Sequence, residues 1–435
     1  MSQHPYDVAI IGGGLTGLAA AALLARSGLN VTVLEKGKKL GGRAGTKEMS
    51  GSLFNLGPHA FYRNGIADTV LSEIGISLNG GVPPANGQVY FQQQNYLLPA
   101  SILSILKTKL LNLKEKKEFA ALMLNISKMN PNDFDHLTLQ QWANSRIASS
   151  KNRALLYTFS RLACYLNAPK LVNAGIVFRQ LKASLGGAIY VNGGWQSVIQ
   201  QLRDRAEQAG AFIMTACTAE EITLSGPVKH VTVTDSTGTR QLAANTIIST
   251  IPPQVVLRIV KGIHETPMAK MLAACQPVKA ACLDVTLNKL TRPGNHFTLD
   301  IDHALYFSNH SKAARLTHNP DEQVIHVMQY LAPGQTAEPA ELQTTLENFL
   351  EKNQPGWKRH ITTQRFLPNL TVSWRLPTVG SEDLLEKTLR DRNDSGFILA
   401  GEWTTNKHLL AEAALYTAKK AANNIISAKE AMAGV

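Results

Sequence analysis

The sequence predicts an α/β fold, and three observations predict it. A glycine turn near the amino terminus joins a β-branched run to a helix-forming run. A second glycine-punctuated helix and strand occupy the middle of the chain, and near the end a strand leads into a long alanine-rich helix. At 435 residues the chain exceeds one ordinary core of about 100 to 200 residues, so two intimately joined domains are expected. Hydrophobic content of 44% with 17% charged residues is the profile of a folded protein with a sizeable interior. There is no internal repeat and no low-complexity tail.

The first element is "VAIIGGGLTGLAAAALLA", Val8 to Ala25, which is long enough and apolar enough to raise the question of a membrane span. Two features decide against it. The preceding "MSQHPYD" lacks the Lys or Arg of a secretion signal, and Gly12, Gly13, Gly14 and Gly17 stand where a span would carry Leu. Read by period, "DVAII" is a buried strand, "GGGLTG" a tight turn, "LTGLAAAALLARSG" a helix ending at Gly28, and "NVTVLE" a second strand. Gly12, Gly14 and Gly17 fall in the G-x-G-x-x-G frame of a Rossmann-like unit. There the backbone amides that open the helix, at Leu15 and Thr16, approach a pyrophosphate at the positive end of the helix dipole. Glu35, followed by Lys36, closes the second strand about 20 residues on, where a carboxylate accepts hydrogen bonds from the adenosine ribose. An acid at that position excludes the 2′-phosphate of NADP.

A second glycine turn, "KGKKLGGRAGT", carries Gly41, Gly42 and Arg43, and "FNLGPHAFY" follows with Gly57, Pro58 and His59. With these motifs the segment resembles the flavin-dependent amine oxidase superfamily, which includes phytoene desaturases and protoporphyrinogen oxidases. The resemblance implies FAD. It also implies the fuller fold: an α/β Rossmann-like FAD-binding domain built from residues 1–65, 185–251 and 370–435, with a discontinuous α+β substrate domain. The substrate domain takes residues 66–184, mainly helical and a candidate membrane-facing part, and residues 252–369.

The carboxyl end, "GFILAGEWTTNKHLLAEAALYTAKKAA", matches the family's return to the flavin. By resemblance Gly401 and Glu402 follow a strand, Glu402 binds the ribityl chain, and the Ala411 amide faces the flavin pyrimidine ring. Amides at a helix start lower the energy of the negative charge a reduced flavin holds there. The chain departs from the family at Ala413, where Gly is usual, with a second small residue near Ala418. The middle element, "AIYVNGGWQSVIQQLRDRAEQAGAFIMTACTAEEI", reads as a turn, a helix and a strand, and the resemblance puts the adenine contact near Ala219. "GEWTTNKHLLAEAA" contains no Cys, so the FAD is expected to be non-covalent.

In the substrate region Ile102, Leu106, Leu110 and Leu113 recur at helical spacing, flanked by Lys107, Lys109, Lys114 and Lys116. Such a stripe packs on the protein's own core or lies in a membrane surface with its lysines at the headgroups. Trp374 and Arg375, in "TVSWRLP", fit either residues beside the ring or a core tryptophan next to a surface arginine. His59 is the one titratable side chain that the motif brings near the ring. It is a candidate for orienting substrate or flavin, or a histidine hydrogen-bonded for structure. No catalytic side chain is assigned beyond it.

Cys164, Cys217, Cys275 and Cys282 are scattered singly, as buried thiols in a reducing compartment would be, and no metal site is proposed. A cytoplasmic location, with peripheral membrane contact as a second expectation, follows. The net charge of +12 favours anionic partners without choosing one, and no nucleic acid is expected. The function implied is an FAD-dependent oxidoreductase that desaturates a mainly apolar, isoprenoid-like small molecule and hands electrons to oxygen or a quinone. Amine oxidase and protoporphyrinogen oxidase are the alternatives. A different class is a flavin-free lipid-binding protein of the same architecture, like the Rab GDP-dissociation inhibitors.

Overall fold

Strands buried on both faces have no reason to alternate polar and apolar residues. Tyr6–Ile11 and Val31–Leu34 accordingly lie side by side in the middle of a sheet, Ile10 opposite Val33. The computed structural model describes residues 5–84, 86–391 and 396–433. In this first sheet five parallel segments run in the order Phe212–Met214, Val31–Leu34, Tyr6–Ile11, the end of Gly238–Ser249, and Phe397–Leu399. Gly238–Ser249 is long enough to serve two roles. Its first half pairs antiparallel with Lys229–Asp235, which pairs with Thr218–Thr223. Parallel pairing therefore brings the beginning, middle and end of the chain onto one sheet.

The helix Leu15–Arg26 is apolar nearly all round because it is covered nearly all round. It packs against both Gln196–Gln208 and the carboxyl-terminal helix Leu410–Ala433. Ala19, Ala20 and Ala21 on it meet Ala414, Ala418, Ala421 and Ala422 in one core, with small side chains at the contact. Among the described residues no helix is long and apolar enough to cross a membrane.

The second sheet runs Ile361–Ser373, Val278–Leu287, Gln323–Tyr330, Leu305–Asn309, Phe297–Asp300, Gln88–Phe91 and Gln94–Leu97. Its strands do alternate. Leu283, Val285, Phe307, Ile325 and Val327 pack under the helix Pro339–Asn353, while Cys282, Tyr306, Met328 and Tyr330 face the helical layer formed by residues 102–185. That second face is the polar one, and it is turned toward the candidate site.

The lysine-flanked stripe is not one helix. Ile102–Lys107 ends at Thr108, whose ψ of 141° leaves the helix, and Leu113–Ile126 starts afresh from an Asn112–Glu115 capping box. The interruption turns Leu110 into the core and leaves Ile102, Leu103, Leu106 and Leu113 at 47%, 61%, 64% and 79% exposed. Leu103, outside the expected stripe, is thus part of the exposed face.

Candidate active site

The glycine turn after Tyr6–Ile11 is packed too tightly for side chains. A Cβ on Gly17 would lie 2.0 Å from the Gly12 carbonyl oxygen, and one on Gly12, at φ 111°, would lie 2.4 Å from Thr250 Oγ1. Gly14 is different, because a Cβ there would find only the Gly41 carbonyl, at 3.7 Å. Gly14 is also the N-cap of the helix and caps it with no side chain, so the first-turn amides of Leu15, Thr16 and Gly17 keep their donors for an anion. A roomy glycine over an uncapped helix start fits a pyrophosphate. The second turn closes the same cradle: the Gly41 amide donates to the Gly13 carbonyl at 2.9 Å.

Glu35 stands at the rim of this cradle. Its carboxylate accepts from the Gly13 amide at 2.8 Å and the Gly37 amide at 2.7 Å. Its own carbonyl accepts from the Cys217 amide at 3.0 Å, so the turn leading to Ala219 flanks the acid, with Ala219 itself on the strand Thr218–Thr223. Lys36 points to solvent.

Arg43 and Glu402, from opposite ends of the chain, meet at 2.7 Å. The Glu402 carboxylate also accepts from the Ser373 hydroxyl at 2.6 Å and the Trp374 amide at 3.1 Å, and Arg43 donates to the Val372 carbonyl at 2.8 Å. The Gly401 amide is held by Thr417 Oγ1 on the carboxyl-terminal helix, at 3.0 Å. Ala413 and Ala418 are wholly buried in that helix, and Ala411 lies at the cavity wall. The pairing of a core tryptophan with a surface arginine is reversed. Arg375 is buried, donating to the Trp403 and Glu382 carbonyls, whereas Trp374 is only half-buried beneath the Arg43 guanidinium. Arg375 is drawn inward because those carbonyls face its donors.

His59 links the two turns that flank Arg43. Its Nδ1 lies 2.9 Å from the Gly57 carbonyl and its Nε2 3.2 Å from that of Arg43, with the ring edge-on to Trp195 at 4.6 Å. Desolvation pushes its pKa down to about 4, so at neutral pH the ring is uncharged and donates to one carbonyl at a time. Pro58 accepts from the Tyr165 hydroxyl at 2.9 Å.

Beside these residues lies a cavity of about 360 Å³, walled by Phe119, Leu122, Leu156, Phe159, Leu410 and Ala411 among others. Four tyrosines add ring faces but spend their hydroxyls inside the wall: Tyr62 on the Ala163 carbonyl, Tyr165 on Pro58, and Tyr190 and Tyr306 on each other and on Ser308 and His310. The result is a mainly apolar chamber. Glu412 is also in its wall, and burial raises the pKa of that carboxyl.

Sequence reading missed a buried network on the sheet face behind the chamber. Asp284 accepts from His326 Nδ1 at 2.5 Å, Cys282 Sγ at 3.1 Å and Arg365 Nε at 2.9 Å, and Arg365 also donates to the Phe54 and Asn55 carbonyls that lead to Gly57. Cys282, Asp284 and His326 have metal-like spacing, their ligand atoms within 4.8 Å of one another. The Arg365 guanidinium on the same carboxylate already supplies the positive charge a metal would bring. All four cysteines are buried free thiols.

A family model described as flavin containing amine oxidoreductase matches residues 15–280. The chain is 24% identical over 312 residues to a probable flavin-containing monoamine oxidase A of Dictyostelium discoideum, covering 65% of each chain, so it spans just under two thirds of that relative. It is 34% identical over 113 residues to a phytoene desaturase of Cercospora nicotianae, covering 25% of this chain and 18% of that one. Cyclohexylamine oxidase from Brevibacterium oxydans has a similar structure, with a TM-score of 0.73 at 17% identity over 98% of this chain and 100% of that one, a likeness of fold.

Proposed function

The chain belongs to the flavin containing amine oxidoreductase family, and on that premise we propose that it is an FAD-dependent oxidoreductase that removes a hydride from a mainly apolar, isoprenoid-like substrate. FAD is the family's cofactor, and the uncapped helix start, the roomy Gly14 and the Arg43–Glu402 pair suit it. When bound, FAD supplies a two-electron acceptor for a C–H bond held against it. The protein's part is positioning and charge stabilisation: the start of the helix Leu410–Ala433 presents its positive end, and the apolar chamber holds the substrate. No cysteine lies in residues 401–414, which supports non-covalent binding.

The observation that carries the substrate class is the chamber itself, whose wall is aliphatic and aromatic with its tyrosine hydroxyls already engaged. Oxidation of an amine is the second reading, favoured by one carboxylate in that wall, Glu412. Anaerobic titration of the FAD-loaded protein separates them. Bleaching of the visible flavin band by a linear polyene, and not by a short hydrophilic amine, is the expected result. Bleaching by the hydrophilic amine alone overturns the apolar reading. Oxygen or a quinone then takes the electrons.

The same reading includes a membrane as the source of substrate. Val82 and Leu185 are exposed and line the chamber, and Ala100, also in its wall, leads directly into the exposed Ile102, Leu103 and Leu106. Lys107, Lys109 and Lys114 are exposed on the same stretch of chain, while Lys116 donates to the Leu106 carbonyl at 2.7 Å, and each cation near an anionic surface contributes about 1 kcal/mol. Co-sedimentation with vesicles is expected to rise with phosphatidylserine content and to be lost in the double variant Leu103→Asp, Leu106→Asp. Binding indifferent to acidic lipid would contradict this.

A further inference from the structure

We propose that Lys36, Lys38 and Lys39 draw the anionic coenzyme toward the cradle, setting the rate at which FAD enters rather than the strength with which it is held. This rests on the reading of the glycine turns as the FAD site. The three lysines occupy a short loop that closes on that site. It begins at Glu35, whose carboxylate accepts from the Gly13 amide at 2.8 Å, and ends at Gly41, whose amide donates to the Gly13 carbonyl at 2.9 Å. Both ends therefore grip one residue of the turn. The middle of the loop is held as well, because the Gly37 amide donates to the Glu35 carboxylate at 2.7 Å and the Gly37 carbonyl accepts from the Ala216 amide at 2.9 Å.

Lys36, Lys38 and Lys39 are exposed, and among the described residues none of their side chains has an ion pair or a hydrogen bond. Acids on the neighbouring segments already have cations of their own: Glu402 has Arg43 at 2.7 Å, Asp235 has Arg240 at 2.6 Å, and Glu221 has Lys261 at 2.9 Å. Within residues 35–41 three cations stand against one carboxylate, Glu35. Even with the exposed Glu220 counted, the balance at this rim is positive.

Cations that are fixed at the backbone, free at the side chain and open to water act through their field. That field reaches about 8 Å at physiological ionic strength and favours the approach of a pyrophosphate before any contact forms. Release is governed by the contacts made inside the cradle, which these side chains do not supply. The expected signature is a fast, salt-sensitive association with a release rate that the lysines leave alone.

The test mixes FAD with the full chain freed of flavin and follows quenching of tryptophan fluorescence, which reads binding without activity. For the native protein the association rate should fall about tenfold between 20 mM and 500 mM NaCl. The triple variant Lys36→Gln, Lys38→Gln, Lys39→Gln should associate about tenfold more slowly at 20 mM and lose most of the salt dependence, with release changed by less than about twofold. All three side chains are exposed, so the fold should tolerate the change. A control variant removes the same charge elsewhere, at the exposed Lys289, Lys312 and Lys352 of the second sheet and its covering helix, and should keep the native rate. A native rate indifferent to salt, an equal slowing in the control variant, or faster release with unchanged association in the triple variant would each overturn the steering role while leaving the cradle as the FAD site. If the native protein takes up no FAD, the reading of the cradle falls, and this inference with it.

Discussion

Gly17→Ala protein is expected to be isolated largely without FAD. The new Cβ would sit 2.0 Å from the Gly12 carbonyl oxygen and 3.3 Å from the Ile10 side chain. The oxygen is backbone and cannot rotate away, so the helix Leu15–Arg26 and the turn must move apart. Overpacking of this kind costs about 1–3 kcal/mol. Moving the cradle relieves it at the expense of the ligand, which lowers FAD affinity by about tenfold to a hundredfold. The ratio of flavin to protein absorbance after desalting measures the loss, and a native ratio would show that the turn does not hold the pyrophosphate. Gly14→Ala is milder by the same reasoning, since its nearest neighbour is 3.7 Å away and only the ligand is crowded.

Asp284→Ala is expected to cause the largest loss of stability. Asp284 is fully buried, and its removal strands the Arg365 guanidinium and His326 without their acceptor. Breaking a buried pair from one side costs about 3–5 kcal/mol. The melting temperature reads the difference, and a shift near zero would mean that the network carries no net stabilisation. The pH dependence has a definite sign. Burial alone would raise the Asp284 pKa, but His326 and Arg365 outweigh it and hold the carboxyl below the ordinary value. A depressed carboxyl pKa stabilises the fold above the unfolded value of about 3.9 and loses that contribution as pH falls through the folded one. The Asp284 contribution to the gap between native and variant proteins should shrink as the pH falls below about 4.

These two sites differ in how far they can be read from the sequence. Gly12, Gly14, Gly17 and Glu35 belong to one local unit, where the spacing itself carries the geometry, and the structure puts the three glycines and the acid around one cradle. Arg43 and Glu402 were each visible from their motifs by resemblance, but nothing local says that they meet at 2.7 Å. Asp284, His326 and Arg365 lie on three strands paired across the second sheet. Alternation indicates that Asp284 and Thr286 share a face opposite Leu283 and Val285, yet it does not say which strand supplies a partner. The burial of Arg375, against the surface-arginine alternative, was not legible because its partners, the carbonyls of Glu382 and Trp403, are set by tertiary folding and leave no side-chain signature. The restart at Leu113 was legible and overlooked, since Asn112 and Glu115 have capping-box spacing. Glu412 was hidden by an alanine-rich stretch that reads as an ordinary helix.

The convergence of three separated segments on one coenzyme is tested most directly by the visible spectrum of the purified protein before and after denaturation. The native protein should show the bands of oxidised flavin, and after precipitation the yellow colour should remain in the supernatant as free FAD. A colourless protein that takes up no FAD on incubation would contradict the convergence, and colour that stays with the pellet would contradict non-covalent binding.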